Sequence, residues 1–148
     1  MRALLKALAA LGSLFGLYGC DSFNLNSLTP GISTAQEVRE RLGPPVAEWP
    51  NPDGSITWEY PRGPEGIHCW MITLSPDRIL SRIDQALTEE NFARAEKGWT
   101  GEQVRRLLGK PARETTYPLK PETVQEWRIE AKSPGYRAYF HVHFDTAG

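Results

Sequence analysis

The strongest pattern along the chain is an apolar helical stripe that occurs twice. Val38 and Leu42 stand four residues apart, as do Val104 and Leu108, and that spacing places each pair on one helix face. Thr34 or Thr100 precedes each stripe, with Glu37 or Gln103 three positions later, the spacing of a capping box. Gly43 or Gly109 follows it, and Pro45 or Pro111 forbids further helix. Each glycine is predicted at positive φ, in the left-handed turn that ends a helix. Residues 34–45 and 100–111 match at six of twelve positions, 66 residues apart. Because these glycines close their helices rather than open them, they are read as helix stops and not as phosphate loops.

After each helix the period changes to two, the period of strands. Ser55–Tyr60 and Cys69–Leu74 are predicted strands in the first half, joined through the Pro/Gly-rich segment Pro61–Gly66. Val124–Ile129 and Tyr139–Phe144 are their counterparts in the second half, joined through Ser133-Pro134-Gly135. Trp70, Ile72 and Leu74 share one face, as do Phe140, Val142 and Phe144, and these six are expected to form the core against the helices. Ser75–Arg78 reads as a turn and Ile79–Ala86 as a third strand, which has no counterpart after Phe144. Between the halves, Thr88 caps a further helix with Glu89 and Glu90 in its first turn, Leu87 and Phe92 as a hydrophobic staple, and an end at Lys97-Gly98.

The start of the chain reads differently. Arg2 and Lys6 precede an uncharged run from Ala7 to Gly19. As a helix those thirteen residues span about 20 Å, short of the roughly 30 Å of a bilayer's hydrocarbon core. A basic segment followed by a short apolar one is the pattern of a secretory signal, so 1–19 is read as a signal peptide. The run ends in Leu17-Tyr18-Gly19-Cys20, which resembles the bacterial lipobox, whose cysteine is diacylated and becomes the mature N-terminus. Cys20 is therefore the expected lipidation site and the bilayer an expected partner, each buried CH₂ of an acyl chain contributing about 0.8 kcal/mol. Asp21 resembles an inner-membrane retention signal. The expected location is the periplasmic face of a membrane, the outer membrane first and the inner one as the alternative that Asp21 raises. Residues 20–27 form a short polar tether. With Cys20 acylated, Cys69 is expected to be a free, part-buried thiol.

Composition removes several function classes. Hydrophobic residues at 40% and charged residues at 24% are values of a folded chain, not a disordered one. A formal net charge of −1 with no basic block argues against nucleic acid as a partner. Two distant cysteines exclude a disulfide framework and a multi-cysteine zinc site. His141 and His143 point to the same side of a strand, as a metal site would want, but no third ligand is assured. They are read as polar residues on the open face of a half-buried sheet, and no metal or cofactor is expected. The chain carries no nucleophile elbow, Walker loop or zincin motif, so no catalytic residue is assigned and a non-enzymatic role is expected. Trp58, Tyr60 and Trp127 form a candidate aromatic recognition strip, with cross-strand packing as the other reading. Together with Met71, Tyr139, His141 and His143 they are the candidate partner-binding residues. Arg39, Arg41, Arg105 and Arg106 read as a solvated helix face.

The string Gly31-Ile-Ser-Thr34, Glu37-Val38, Leu42-Gly43-x-Pro45, then Trp58-x-Tyr60 and a hairpin ending Ile83-Asp84 resembles the SmpA/OmlA (BamE-like) lipoprotein domain. Lys97-Gly98-Trp-Thr100, Gln103-Val104, Leu108-Gly109-x-Pro111 and Phe144-Asp145 resemble it a second time. The resemblance implies an α+β fold of two tandem BamE-like units, 28–86 and 87–148, the second without its last strand. In each, helices pack on one face of an antiparallel sheet, an arrangement similar to that of tandem β-lactamase-inhibitor proteins. It further implies an interaction module in outer-membrane assembly or envelope integrity, with envelope proteins, β-barrel assembly components among them, as partners. The alternative is an inhibitor-like protein that grips a soluble periplasmic partner through its open sheet face.

Overall fold

A computed structural model describes residues 24–145; the proposed signal peptide, Cys20 and Asp21 lie outside the described residues. Helix α1 spans Ala35–Leu42, α2 Glu89–Arg94 and α3 Gly101–Leu108. Strands β1 (Ala47–Pro50), β2 (Ile56–Pro61), β3 (Cys69–Leu74) and β4 (Leu80–Gln85) form one antiparallel sheet in sequence order. Strands β5 (Arg113–Tyr117), β6 (Glu122–Ile129) and β7 (Ala138–Phe144) form a second antiparallel sheet in the order β5-β6-β7. The chain is thus α+β, with two small antiparallel sheets and short helices.

Both repeated helices start and stop as their sequences dictate. Thr34 and Thr100 accept from the backbone N–H groups of Glu37 and Gln103, whose side chains accept in return from the threonine N–H groups at 2.7 Å. Gly43 and Gly109 both adopt φ +80, but their ψ values of −172 and −174 are not those of the left-handed turn expected. They occupy the extended region at positive φ that only glycine tolerates. At Gly43 the next residue is Pro44, which itself favours an extended ψ before it. Each stop is then latched by an aromatic donor from the facing strand. The Tyr60 hydroxyl donates to the Gly43 carbonyl at 3.0 Å, and the Trp127 indole N–H to the Gly109 carbonyl at 2.9 Å. Trp127 therefore stands where Tyr60 stands in the first half.

Three elements differ from expectation. Strands β1 and β5 lie before the predicted strands and carry no clear apolar alternation. Helix α2 ends at Arg94 instead of Lys97-Gly98, because Ala95 already has an extended ψ of 110 and a turn from Glu96 to Trp99 follows, with Gly98 at φ +91. Ahead of α1 the first half has only a 3-10 turn, Leu25–Ser27.

Two apolar cores result. Val38 of α1 packs with Trp58, Tyr60, Ile72, Leu74 and Leu80 on one face of the first sheet. Val104 and Leu108 of α3 pack with Trp127 and Phe144 on the second, where Phe92 of α2 stacks on Phe140 at 4.4 Å between ring centroids. Each large side chain buried in this way contributes about 1.5–3 kcal/mol. The six strand residues expected to face the helices do so.

The two halves are joined through the other face of the first sheet. Cys69 and Met71 point away from the first core and meet Gly109 at the end of α3. Beside them the fully buried carboxylate of Glu59 accepts from Lys110 N–H at 2.7 Å, from the Trp49 indole at 3.1 Å and from Arg105 Nε at 3.4 Å. Arg105 and Arg106 also lie over the Trp49 ring, and Arg106 donates to the Pro50 carbonyl. The order of layers is α1, first sheet, α3 with α2, second sheet. The first sheet is thus covered on both faces, not on one as expected, because the second half supplies a helix end that fits its outer face.

Candidate interaction face

Among the described residues, what covers the outer face of the first sheet has no equivalent on the second. The register pairs Glu126 with His141 and with Arg113, and Val124 with His143 and with Thr115, so these side chains share one face. Tyr139 pairs with Arg128 and Tyr117 with Glu122 on the same face. Its opposite carries Trp127, Phe140, Val142 and Phe144 into the core. Tyr117 is 49% exposed and Tyr139 37% exposed, and both imidazoles are open to solvent. The face therefore combines two tyrosines, a valine and a threonine with two histidine–glutamate pairs.

Those pairs fix the imidazoles. His141 Nε2 lies 2.9 Å from a Glu126 carboxylate oxygen, and His143 Nδ1 is hydrogen-bonded to Glu122. Glu122 also receives Lys120 at 2.8 Å, and hydrogen bonds from Lys120 first and His143 second hold its carboxyl below its ordinary range. Among the described residues no group of three or more potential ligands converges as a metal site, since each histidine turns to its own glutamate. Arg128 ties one end of the face to the first half by donating to the carbonyl and carboxylate of Glu65 in the β2–β3 loop, both at 2.7 Å.

The seven candidate residues divide accordingly. Tyr139, His141 and His143 lie together on this face. Trp58, Tyr60 and Trp127 point into the two cores at 4%, 4% and 1% exposure, so the aromatic strip is packing and offers no surface. Met71 occupies the position on β3 that His141 occupies on β7, but it is buried where the second half closes over the first sheet. Tyr117 and Val124 belong to the face and were not anticipated. The alternation Arg113-x-Thr115-x-Tyr117, which contains no aliphatic residue, was the one signal for Tyr117, and Val124 was predicted in a strand but not assigned to this face. Cys69 is a free buried thiol, more enclosed than expected, and burial pushes its pKa far above the ordinary thiol value.

Arg39 lies over the Trp58 ring and pairs with Glu48, while Arg105 reaches Glu59, so part of the arginine set is structural and not a solvated face. Among the described residues no helix is long and apolar enough to cross a membrane. Scans against protein-family models, curated proteins and solved structures find no match to this chain.

Proposed function

We propose that this chain is a non-enzymatic interaction module, held at the periplasmic face of a membrane through an acylated Cys20, the outer membrane first. It acts in outer-membrane assembly or envelope integrity, the role implied by the resemblance of residues 31–84 and 97–145 to the SmpA/OmlA domain. The observation that carries the binding role is the outer face of the second sheet, which none of the described residues covers. Its first-sheet counterpart is closed by a helix end and a buried carboxylate, whereas this one presents Tyr117, Tyr139, His141 and His143 to solvent. Tyrosine supplies large contact area with little rotamer entropy to lose, and aromatic residues dominate interface hot spots.

The test is site-specific photocrosslinking in intact cells from Tyr139 and from Tyr117, with Thr116 on the opposite face as control. Capture of β-barrel assembly components at the two face positions, and not at Thr116, is the expected result. Capture of one soluble periplasmic protein instead would assign the inhibitor-like role. Equal patterns at all three positions would remove the face as a docking surface. The anchor has its own test, since Cys20→Ala is expected to leave an unprocessed, larger form.

A further inference from the structure

The closure of α3 covers only part of the first sheet's outer face. It is shut beside Gly109, where Glu59, Cys69 and Met71 are buried. Farther along the same face β2 and β3 carry Thr57 and Thr73, which pair in register. There β4 sets Arg82 beside Thr73 and Asp84 beside Met71. The sheet, α2 and α3 enclose a cleft of about 610 Å³ at this end. That volume is in the range of small-molecule sites, which favour the junction of two structural units.

The lining is mostly polar, with more positive than negative charge. On the sheet side Asn51 Nδ2 donates to Thr57 Oγ1 at 3.0 Å, and the Thr57 and Thr73 hydroxyls lie 3.2 Å apart. A single proton serves that second contact, so among the described residues one of the two hydroxyl protons has no acceptor. Three guanidinium groups line the cleft, each from a different element: Arg82 of β4, Arg94 of α2 and Arg106 of α3. Arg82 is tied to Asp84, Arg94 donates to Asn91 Oδ1, and Arg106 reaches the Pro50 carbonyl and Glu102. A guanidinium has five N–H donors, so these bonds leave most of them for a ligand. Against the three cations the lining sets two carboxylates, Asp84 and Glu90.

We infer that this cleft is a ligand site and that it takes a phosphorylated sugar. An apolar ligand would dry the cleft and strand its hydroxyl, amide and guanidinium groups. The excess of cations selects an anion. Guanidinium groups from three elements suit the several oxygens of a phosphate, whereas one arginine can hold both oxygens of a carboxylate. The carboxylates of Asp84 and Glu90 accept from sugar hydroxyls, and the spare threonine proton donates to one. The cleft belongs to the first sheet, so the inference stands whatever binds the outer face of the second.

The probe is glucose 6-phosphate, titrated calorimetrically into the full chain in detergent micelles at about 0.15 M salt. Saturable one-to-one binding is expected, with glucose and inorganic phosphate each at least ~10-fold weaker. Arg94→Gln should weaken the ester at least ~10-fold and Thr73→Val at least ~3-fold. Arg94 is exposed and valine keeps the shape of threonine, so both variants should unfold at nearly the wild-type temperature. Arg113→Gln, which removes a cation from the second sheet, should leave binding unchanged. In the wild type the ester should slow hydrogen exchange in β4 and α2 and not in β6. Absence of saturable binding overturns the inference, as does equal binding by glucose or by inorganic phosphate. A loss in Arg113→Gln as large as in Arg94→Gln overturns it too, since binding then follows net charge alone. Protection confined to the second sheet would place the ligand elsewhere and has the same consequence.

Discussion

Two residues at the same place in their helices, Gly43 and Gly109, have different sensitivities. Both sit at φ +80, so any side chain costs about 1–3 kcal/mol in backbone strain. A Cβ on Gly43 meets open space, whereas one on Gly109 runs into the Cys69 side chain. Gly109→Ala should therefore lower stability by about 1–2 kcal/mol more than Gly43→Ala in thermal unfolding. Adding Cys69→Ala should recover part of that difference, and equal losses would mean that the halves do not touch there. A second residue-scale prediction concerns pH. The Thr34 backbone N–H and then its hydroxyl hold the Glu37 carboxyl below 4.5, and Ser55 lowers Asp53 in the same way. A carboxyl with a depressed folded-state pKa stabilises fully above its unfolded value and loses that contribution as pH falls through the folded value. Glu37→Gln keeps the reciprocal bond, as Gln103 does in α3, but loses the share that the ionised carboxylate adds, so it should be slightly less stable than wild type near neutral pH and match it at low pH. The decline below pH 4.5 should become shallower in the mutant, and an unaltered acid limb would show that the box carries no titratable contribution.

At the level of elements, each helix stop is a unit of three parts: a threonine box at the start, a glycine at the end, and an aromatic donor that reaches the glycine carbonyl from the sheet. Tyr60→Phe and Trp127→Phe each leave that carbonyl without its donor, and each should cost about 1–3 kcal/mol by urea denaturation. Trp127→Phe should cost more, since it also removes volume from a fully buried site. The box and the glycine were legible in the sequence because caps and stops are local. Five strands and the faces of β3 and β7 were legible for a similar reason, since alternation marks a strand with one dry face. Strands β1 and β5 were not. Arg113-Glu-Thr-Thr-Tyr117 is an edge strand with polar residues on both faces, and Ala47-Glu-Trp-Pro50, also at an edge, is only four residues long, too short for a period to stand out. The latch also escaped the sequence reading, because only the sheet register places Trp127 opposite Phe140 as Tyr60 is opposite Trp70.

Across the whole molecule the decisive event is the closure of α3 on the first sheet, and nothing local in the sequence announces it. Glu59 alternates with Trp58 and Tyr60 as a solvent-facing residue of a half-exposed strand would, yet its side chain is fully buried. What holds it there is a set of three donors, two of them, Arg105 and the Lys110 backbone, from the second half. Replacing a buried ion pair with apolar residues is often neutral. Here it should not be, because Glu59→Leu with Arg105→Met still strands the Trp49 indole and the Lys110 N–H in a dry site. The expected loss is about 2–4 kcal/mol for the double mutant, and about 2–3 kcal/mol for Arg105→Met alone, in which the carboxylate keeps its other two donors. Since Glu59 links the layers, its removal should also separate their unfolding. In the wild type, hydrogen exchange of β3 and of β6 should report one opening free energy. In Glu59→Leu, β6 should open before β3, and urea unfolding should broaden or split. A variant that keeps both the original stability and a single sharp transition would show that the halves are held together by their other contacts, such as Cys69 and Met71 against Gly109 and Arg128 on Glu65, and that the buried carboxylate contributes nothing to their union.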